Sequence, residues 1–173
     1  AYYREDSGQW LAYYPKEKKG FIHSDSTQGF KSLGVATPFD LQELAWLLGG
    51  YWHQMLPGTY KAFEFIPKKG WLFSFSNQNK INKILLGPEG QLLALYGQKP
   101  ETWQIRLSNW QEIDTQSLPQ KYVLNLAEHT RLKIYLKSYK KQKDKWQNQA
   151  LDLSLPEDTK IIYLKRPALF PGI

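Results

Sequence analysis

The stretch GWLFSFSNQNKINKILLGPEGQLLALYGQ, residues 70–98, decides the fold class, because its side chains alternate with a period of two. Trp71, Phe73 and Phe75 point to one side of an extended chain, and the residues between them point to the other. GPEG at residues 87–90 has the composition of a tight turn between two strands. One apolar face and one polar face are typical of an antiparallel sheet.

The same alternation continues on both sides of this stretch. Near the start, two alternating segments flank KEKK at residues 16–19, which is a hairpin pattern. Short strands with turn signals at regular spacing are typical of a sandwich or barrel. The further predicted strands are GQWLAYYP, GFIHS, YKAFEFIP, TWQIRLSNW, KYVLNLAEH, TRLKIYLKSY, QALDLSLP and KIIYLKR. We therefore predict a mainly β fold.

One helix is well marked in TPFDLQELAWLLGG, residues 37–50. Thr37 is the predicted N-cap, Pro38 suits the first turn, and Asp40 suits the positive helix end. The second half is apolar on nearly every side, which predicts burial on more than one side. A shorter helix is predicted at residues 25–34. Together these features indicate a sheet that curls around one or two helices.

The segment after the helix, residues 51–56, is unusually apolar for a loop: it contains Tyr51, Trp52, Met55 and Leu56. A single helix cannot fill a large curved sheet, so aromatic side chains fill the space or a ligand enters it. We expect residues 51–56 to lie at the opening of that space.

Composition limits the function classes. The chain has 173 residues, a length suited to one domain, and no cysteine, which excludes a disulfide framework, a zinc-thiolate site and a cysteine nucleophile. The net charge of +7 suits an anionic partner such as nucleic acid or acidic phospholipid. The densest basic run, residues 137–146, lies between alternating segments and is predicted to be a solvated hairpin loop.

No catalytic, metal or cofactor motif is present in the sequence. The P-loop, the dinucleotide fingerprint and the nucleophile elbow are all missing. The three histidines are isolated, with no partner at metal-ligand spacing, and His53 in the aromatic segment is expected to be a surface or rim residue. We predict no enzyme activity, no cofactor and solvated carboxylates. The three histidines are His23, His53 and His129, and the carboxylates are Glu64, Asp114 and Asp152.

Basic charge with aromatics on a sheet is also typical of RNA-binding modules. Here Trp103 shares its face with Ile105 and Leu107, which is typical of a core face and not of a stacking platform. We therefore expect no nucleic-acid partner, and an RNA-binding sheet is the weakest of the alternatives.

The order of the segments resembles the LolA/LolB superfamily, and within it the LolB-like outer-membrane lipoproteins. LLG at residues 47–49 and LPG at residues 56–58 match the family's LLG-LPG-type segment, with residues 50–55 inserted between them. The resemblance covers residues 9–164. It rests on the order YYPKEKKGFIH, TPFDLQELAWLLGG, LPG, W-x-F-x-F, KILLGPEGQLLALYG, WQIRLSNWQEID, LPQKYVLNL, RLKIYL and LDLSLPEDTKIIYL.

The resemblance implies a strongly curved antiparallel sheet, an incomplete, half-open barrel with one or two helices as a lid or plug. It implies a single LolB-like domain over residues 1–173, with a hydrophobic cavity for the acyl chains of lipoproteins or lipids. Such proteins receive lipoproteins from a periplasmic carrier at the periplasmic face of the bacterial outer membrane. A lipidated N-terminal Cys anchors them there. The chain has no Cys and begins almost at the first hairpin, so we expect the anchor and the family's N-terminal strands to be missing.

Ten residues are predicted to form the cavity. Each wall residue could instead be ordinary core packing. A runner-up function is an envelope scaffold or assembly protein with a filled core, which binds a protein partner through the aromatic segment at residues 51–56. The predicted wall is Trp46, Leu47, Trp71, Phe73, Phe75, Trp103 and Ile105, and the predicted mouth is Trp52, Met55 and Leu56.

Overall fold

The computed structural model describes residues 2–6, 9–35, 37–98, 102–113, 116–126, 130–139 and 154–164. With 49% strand and 14% helix, the fold is mainly β, as predicted. Several sequence-based predictions lie outside the described residues: His129, Asp114, Asp152, and most of the basic run and of the predicted strand QALDLSLP.

The described elements are eleven strands, two α-helices and one 3-10 helix. They are β1 (Tyr2–Asp6), β2 (Gln9–Tyr14), β3 (Lys19–His23), α1 (Ser26–Ser32), α2 (Leu41–Leu48), the 3-10 helix (Trp52–Met55), β4 (Ala62–Ile66), β5 (Gly70–Ser74), β6 (Ile81–Leu86), β7 (Leu92–Gly97), β8 (Trp103–Ile113), β9 (Gln116–Leu126), β10 (Arg131–Tyr135) and β11 (Lys160–Tyr163). They belong to two compact units, Ala1–Leu44 with Lys141–Ile173, and Ala45–Lys140. The single-domain prediction stays a prediction.

The first unit contains a four-stranded sheet in the order β1-β2-β3-β11. The predicted hairpin of β2 and β3 is confirmed, with Trp10 opposite His23. Its core packs Trp10, Ala12 and the α1 residue Phe30. The expectation of an entirely antiparallel sheet was wrong here, because β11 runs parallel to β3. Such a pairing joins distant parts of the chain and leaves no local pattern in the sequence.

The second unit contains a seven-stranded antiparallel meander in the order β10-β9-β8-β7-β6-β5-β4. The predicted turn between β6 and β7 is confirmed, since the backbone N–H of Gly90 donates to the carbonyl of Gly87 at 2.9 Å. Among the described residues the strands form two sheets, with neither a closed barrel nor a strong curl.

Strand register gives this sheet two chemically different faces. One face, which we call the polar face, carries Lys83, Arg106 and Lys121. The apolar face is formed by Phe63, Phe65, Trp71, Phe73, Ile84, Leu86, Leu92, Leu95, Trp103, Ile105, Leu107, Tyr122, Leu124, Leu132 and Ile134.

Both predicted helices are present, but the N-cap of α2 differs from the prediction. Asp40 caps the helix through a reciprocal pair: its carboxylate accepts from the N–H of Glu43 at 2.7 Å, and the Glu43 carboxylate accepts from the N–H of Asp40 at 2.9 Å. This capping box makes Asp40 the better cap and moves the start of the helix past Pro38. Thr37 instead accepts from the N–H of Phe39 at 3.1 Å in the preceding turn.

Candidate functional site

The end of α2 fixes the start of the predicted mouth segment. Gly50 has a φ of +81°, and the N–H of Tyr51 donates to the carbonyl of Trp46 at 2.7 Å. The N–H of Gly50 donates to the carbonyl of Leu47 at 3.4 Å. These two bonds form a Schellman motif, which ends the helix at a residue that tolerates the left-handed conformation.

A buried tyrosine on β9 ties this helix end to the sheet. The hydroxyl of Tyr122 donates to the carbonyl of Leu47 at 3.4 Å and lies 3.3 Å from the hydroxyl of Tyr139. Tyr139 in turn donates to the carbonyl of Pro119. Burial, reinforced by the hydrogen bond to Tyr139, raises the pKa of Tyr122 well above its ordinary value. The neutral phenol therefore stays a hydrogen-bond donor at all physiological pH values.

The structure places the predicted strand residues of the wall on one face, and most of them are buried. Trp103 and Ile105 lie on the apolar face and are buried. Phe75, just beyond β5, is buried as well, and its N–H donates to the carbonyl of Asn82 at 2.8 Å. Leu47 is fully buried, whereas Trp46 is half-buried. Trp103 also lines a depression of about 430 Å³ with Gly97 and Leu126. A ligand cavity bounded by the predicted wall residues stays a prediction.

Trp71 and Phe73 are different, because they belong to a cluster that we call the aromatic patch: Tyr60, Phe63, Phe65 and Trp71, which are exposed, and Phe73, which is half-buried. The ring of Phe63 lies 5.8 Å from Trp71 and 6.0 Å from Phe73, and the ring of Phe65 lies 5.1 Å from Trp71. Tyr60 closes the cluster at 5.5 Å from Phe73. Phe63 is 56% exposed and Phe65 is 54% exposed. Monomeric soluble proteins seldom expose such clusters without a function.

A depression of about 430 Å³ opens beside the aromatic patch. Its volume is within the range of small-molecule sites. No charged side chain of the described residues lines it, and the turn between β6 and β7 forms its far wall. The lining residues are Tyr60, Phe63, Trp71, Phe73, Leu86, Gly87, Pro88 and Gly90.

The predicted mouth residues lie together in and just after the 3-10 helix. Trp52, Met55 and Leu56 are each half-buried, and Tyr51 is exposed. The ring contacts of this segment are local: Tyr51 and Trp52 each lie 6.4 Å from the ring of His53. The segment is thus a compact apolar turn, and a role as the mouth of a cavity stays a prediction.

Sequence reasoning missed Tyr60, Phe63 and Phe65 as site residues. The signal was available in YKAFEFIP, where Phe63 and Phe65 alternate in the same way as the buried aromatics. What the sequence did not reveal is that β4 is the last described strand of its sheet. An end strand has a neighbour on one side only, so its aromatic side chains remain uncovered.

The structure describes three of the histidines and carboxylates that the sequence analysis singled out: His23, His53 and Glu64. Within the described ranges no three His, Asp or Glu side chains come together as metal ligands. His23 is buried, and its Nδ1 accepts from the N–H of Asp25 at 2.9 Å, a structural role. His53 and Glu64 are exposed.

None of the helices in the described part of the chain is long and apolar enough to cross a bilayer. The aromatic patch, with the depression beside it, is the strongest candidate site, and its ligand has to be inferred from its own side chains. No family model, no curated protein and no solved structure matches this chain.

Proposed function

We propose that this chain is a non-enzymatic lipid- or lipoprotein-binding domain that takes acyl chains at the aromatic patch. The observation that carries the proposal is the uncharged cluster of five aromatic rings, four of them exposed, beside a depression of about 430 Å³. Aromatic rings offer a large apolar area with few rotatable bonds, which suits a surface that binds flexible chains.

The energy available suits a transfer step. Each methylene that leaves water contributes about 0.8 kcal/mol, so about eight of them contribute roughly 6 kcal/mol. Loss of translational and rotational freedom costs at least about 4 kcal/mol. The surplus gives weak, reversible binding, which is what a protein that receives and releases a lipid requires.

The finer part of the proposal is a LolB-like role in lipoprotein localisation or outer-membrane biogenesis. It includes a periplasmic carrier as donor and the periplasmic face of the outer membrane as location, with an N-terminal lipid anchor outside this sequence. In this proposal the half-open character of the fold lies at β4 and β5, where the apolar face is uncovered. Trp103, Ile105 and Leu47 fill the remainder, so the acyl chain lies on the aromatic patch.

The first test is mass spectrometry of the purified chain under native and then denaturing conditions. A stoichiometric fatty acid or phospholipid supports the proposal. A mass that stays free of lipid after incubation with phospholipid and with fatty acid contradicts it. The filled-core scaffold then becomes the better explanation, with the aromatic segment at residues 51–56 as the surface that binds a protein partner.

A second test locates the site by displacement of an apolar fluorescent dye with fatty acid. We expect Phe63→Ala with Trp71→Ala to weaken binding, because both rings line the depression. Trp52→Ala with Leu56→Ala tests the predicted mouth. If only Trp52→Ala with Leu56→Ala weakens fatty-acid binding, the ligand enters at residues 51–56 and the assignment of acyl binding to the aromatic patch is wrong.

A further inference from the structure

The polar face of the seven-stranded sheet carries a groove of about 690 Å³, on the opposite side from the aromatic patch. Five cationic side chains line this groove, four of them exposed and the fifth, Lys121, half-buried. No acidic side chain of the described residues lines it, and none of the five forms an ion pair within the described part of the chain. The five are Lys69, Lys83, Arg106, Lys121 and Arg131.

The floor of the groove is aliphatic and ordered by strand register. Leu72 on β5 lies opposite Leu85 on β6, Leu85 lies opposite Ala94 on β7, and Ala94 lies opposite Arg106 on β8. With strands about 4.8 Å apart, this row runs roughly 14 Å across the sheet before it reaches the arginine. The row is therefore an apolar track that ends at a cation.

Two further cations lie past the end of the track at Arg106, on the next strands of the sheet. Arg131 on β10 lies opposite Asn125 on β9, in the cross-strand row adjacent to Arg106, whereas Lys83 lies on β6 beside the track residue Leu85. Lys121 lies opposite Ser108, two residues along the strand from Arg106. Three of the five cations therefore lie on β8, β9 and β10, at and past the end of the aliphatic row, and Lys69 and Lys83 flank the row itself. Such a groove suits an amphiphile with an anionic head and an apolar tail.

Single-stranded nucleic acid fits this groove less well. Sheets that bind it present several aromatic rings on which bases stack. Tyr96 is the one aromatic side chain among the described residues that line the groove, and the floor beside it is Leu72, Leu85 and Ala94.

We propose that this groove binds one molecule of a single-chain anionic lipid. Its acyl tail lies on the track from Leu72 to Ala94, and its carboxylate or phosphate head is held by Arg106, with Lys121 and Arg131 on the next two strands. The site is independent of the acyl-binding patch, because the two lie on opposite faces of the sheet.

Calorimetric titration with monomeric lysophosphatidylglycerol, oleate and the zwitterionic lysophosphatidylcholine tests the proposal. We expect both anionic lipids to bind more tightly than lysophosphatidylcholine, and added salt to reduce that preference. Arg106→Gln should weaken binding of the anionic lipids about tenfold or more, because a hydrogen bond to a charged group is lost. Lys31→Gln, an exposed lysine on α1, is the matched control and should change nothing.

Amide chemical-shift mapping separates this site from the proposed function. Shifts at Leu85, Ala94 and Arg106 that vanish in Arg106→Gln support the groove. If shifts occur only at Phe63 and Trp71, the groove proposal fails while the acyl-binding proposal stands.

Two further outcomes overturn the groove proposal. One is equal affinity for all three lipids that Arg106→Gln does not alter. The other is a single-stranded oligonucleotide that binds the groove where the lipids do not. Lys121→Gln repeats the test if Arg106→Gln disturbs the circular dichroism spectrum.

Discussion

Removal of the Phe63 ring should weaken acyl binding more than any other single change in the aromatic patch. Phe63 is central: its ring lies 5.8 Å from Tyr60, 5.8 Å from Trp71 and 6.0 Å from Phe73. It is also 56% exposed, so a ligand on the patch has much of the ring to cover. The change is Phe63→Ala.

The magnitude follows from the exposed area. An aromatic side chain presents about 150–250 Å², so the exposed 56% of Phe63 amounts to roughly 100 Å². At about 25 cal/mol per Å², complete coverage by a ligand would contribute roughly 2.5 kcal/mol. A ligand that rests on one side of the ring covers about half of this area, which leaves about 1.3 kcal/mol, or close to tenfold in Kd.

The assay is displacement of an apolar dye by fatty acid, with a urea denaturation curve for each variant. Tyr163→Ala is the matched control, because Tyr163 is 73% exposed and lies on β11 in the other unit. We expect a tenfold loss for Phe63→Ala, no loss for Tyr163→Ala, and little change in the stability of either. A loss below about twofold for Phe63→Ala, or equal losses in both variants, would refute the assignment of acyl binding to the patch.

Two further predictions concern the scaffold behind the site. Gly50 and Gly90 share a φ of +81°, but a Cβ at Gly50 would lie 2.5 Å from Leu118 whereas a Cβ at Gly90 meets nothing within 4 Å. Gly90→Ala should therefore cost about 1–2 kcal/mol of unfolding free energy from backbone strain alone. Gly50→Ala should cost about 0.5–1.5 kcal/mol more, because Leu118 must leave its rotamer. Equal losses of unfolding free energy in urea denaturation would contradict the contact between a Cβ at position 50 and Leu118. Because burial raises the pKa of Tyr122 above its ordinary value of 10.0, the folded chain keeps a proton that the unfolded chain releases, and stability falls as pH rises above about 10. Tyr122→Phe should make the fall of unfolding free energy with pH shallower by up to about 1.4 kcal/mol per pH unit. Tyr3, whose pKa is raised to about 12, contributes part of the remaining slope. An unchanged slope would show that Tyr122 is not buried.

Local patterns predicted the elements well, because hairpins are formed by neighbours in the sequence. The β2–β3 pair, the turn at residues 87–90 and helix α1 all follow from alternation or from a cap such as Asp25. β1 was missed, and the parallel pairing of β11 with β3 was not predicted. Pairing partners that are distant in the chain depend on tertiary packing, which no local period records.

The candidate site shows the same limit at the level of single residues. Trp103 with Ile105 and Phe63 with Phe65 follow one alternating pattern, yet the first pair is buried and the second pair is exposed. The difference is position in the sheet: β8 has a neighbour on each side, while β4 is the last described strand. Sequence could therefore assign both pairs to the apolar face but could not tell which pair reaches solvent.

The positive charge of the chain has a structural explanation that composition alone could not supply. A net charge of +7 first suggested nucleic acid or acidic phospholipid as partner. In the seven-stranded sheet, cations such as Arg106 and Lys83 line a groove beside Leu85 and Ala94, on the face opposite the aromatic patch. An aliphatic floor favours an acyl tail over a base, which is why we propose an anionic lipid as the ligand of this groove. One sheet would then offer acyl chains two different surfaces: the aromatic patch, indifferent to the headgroup, and the groove, selective for its charge.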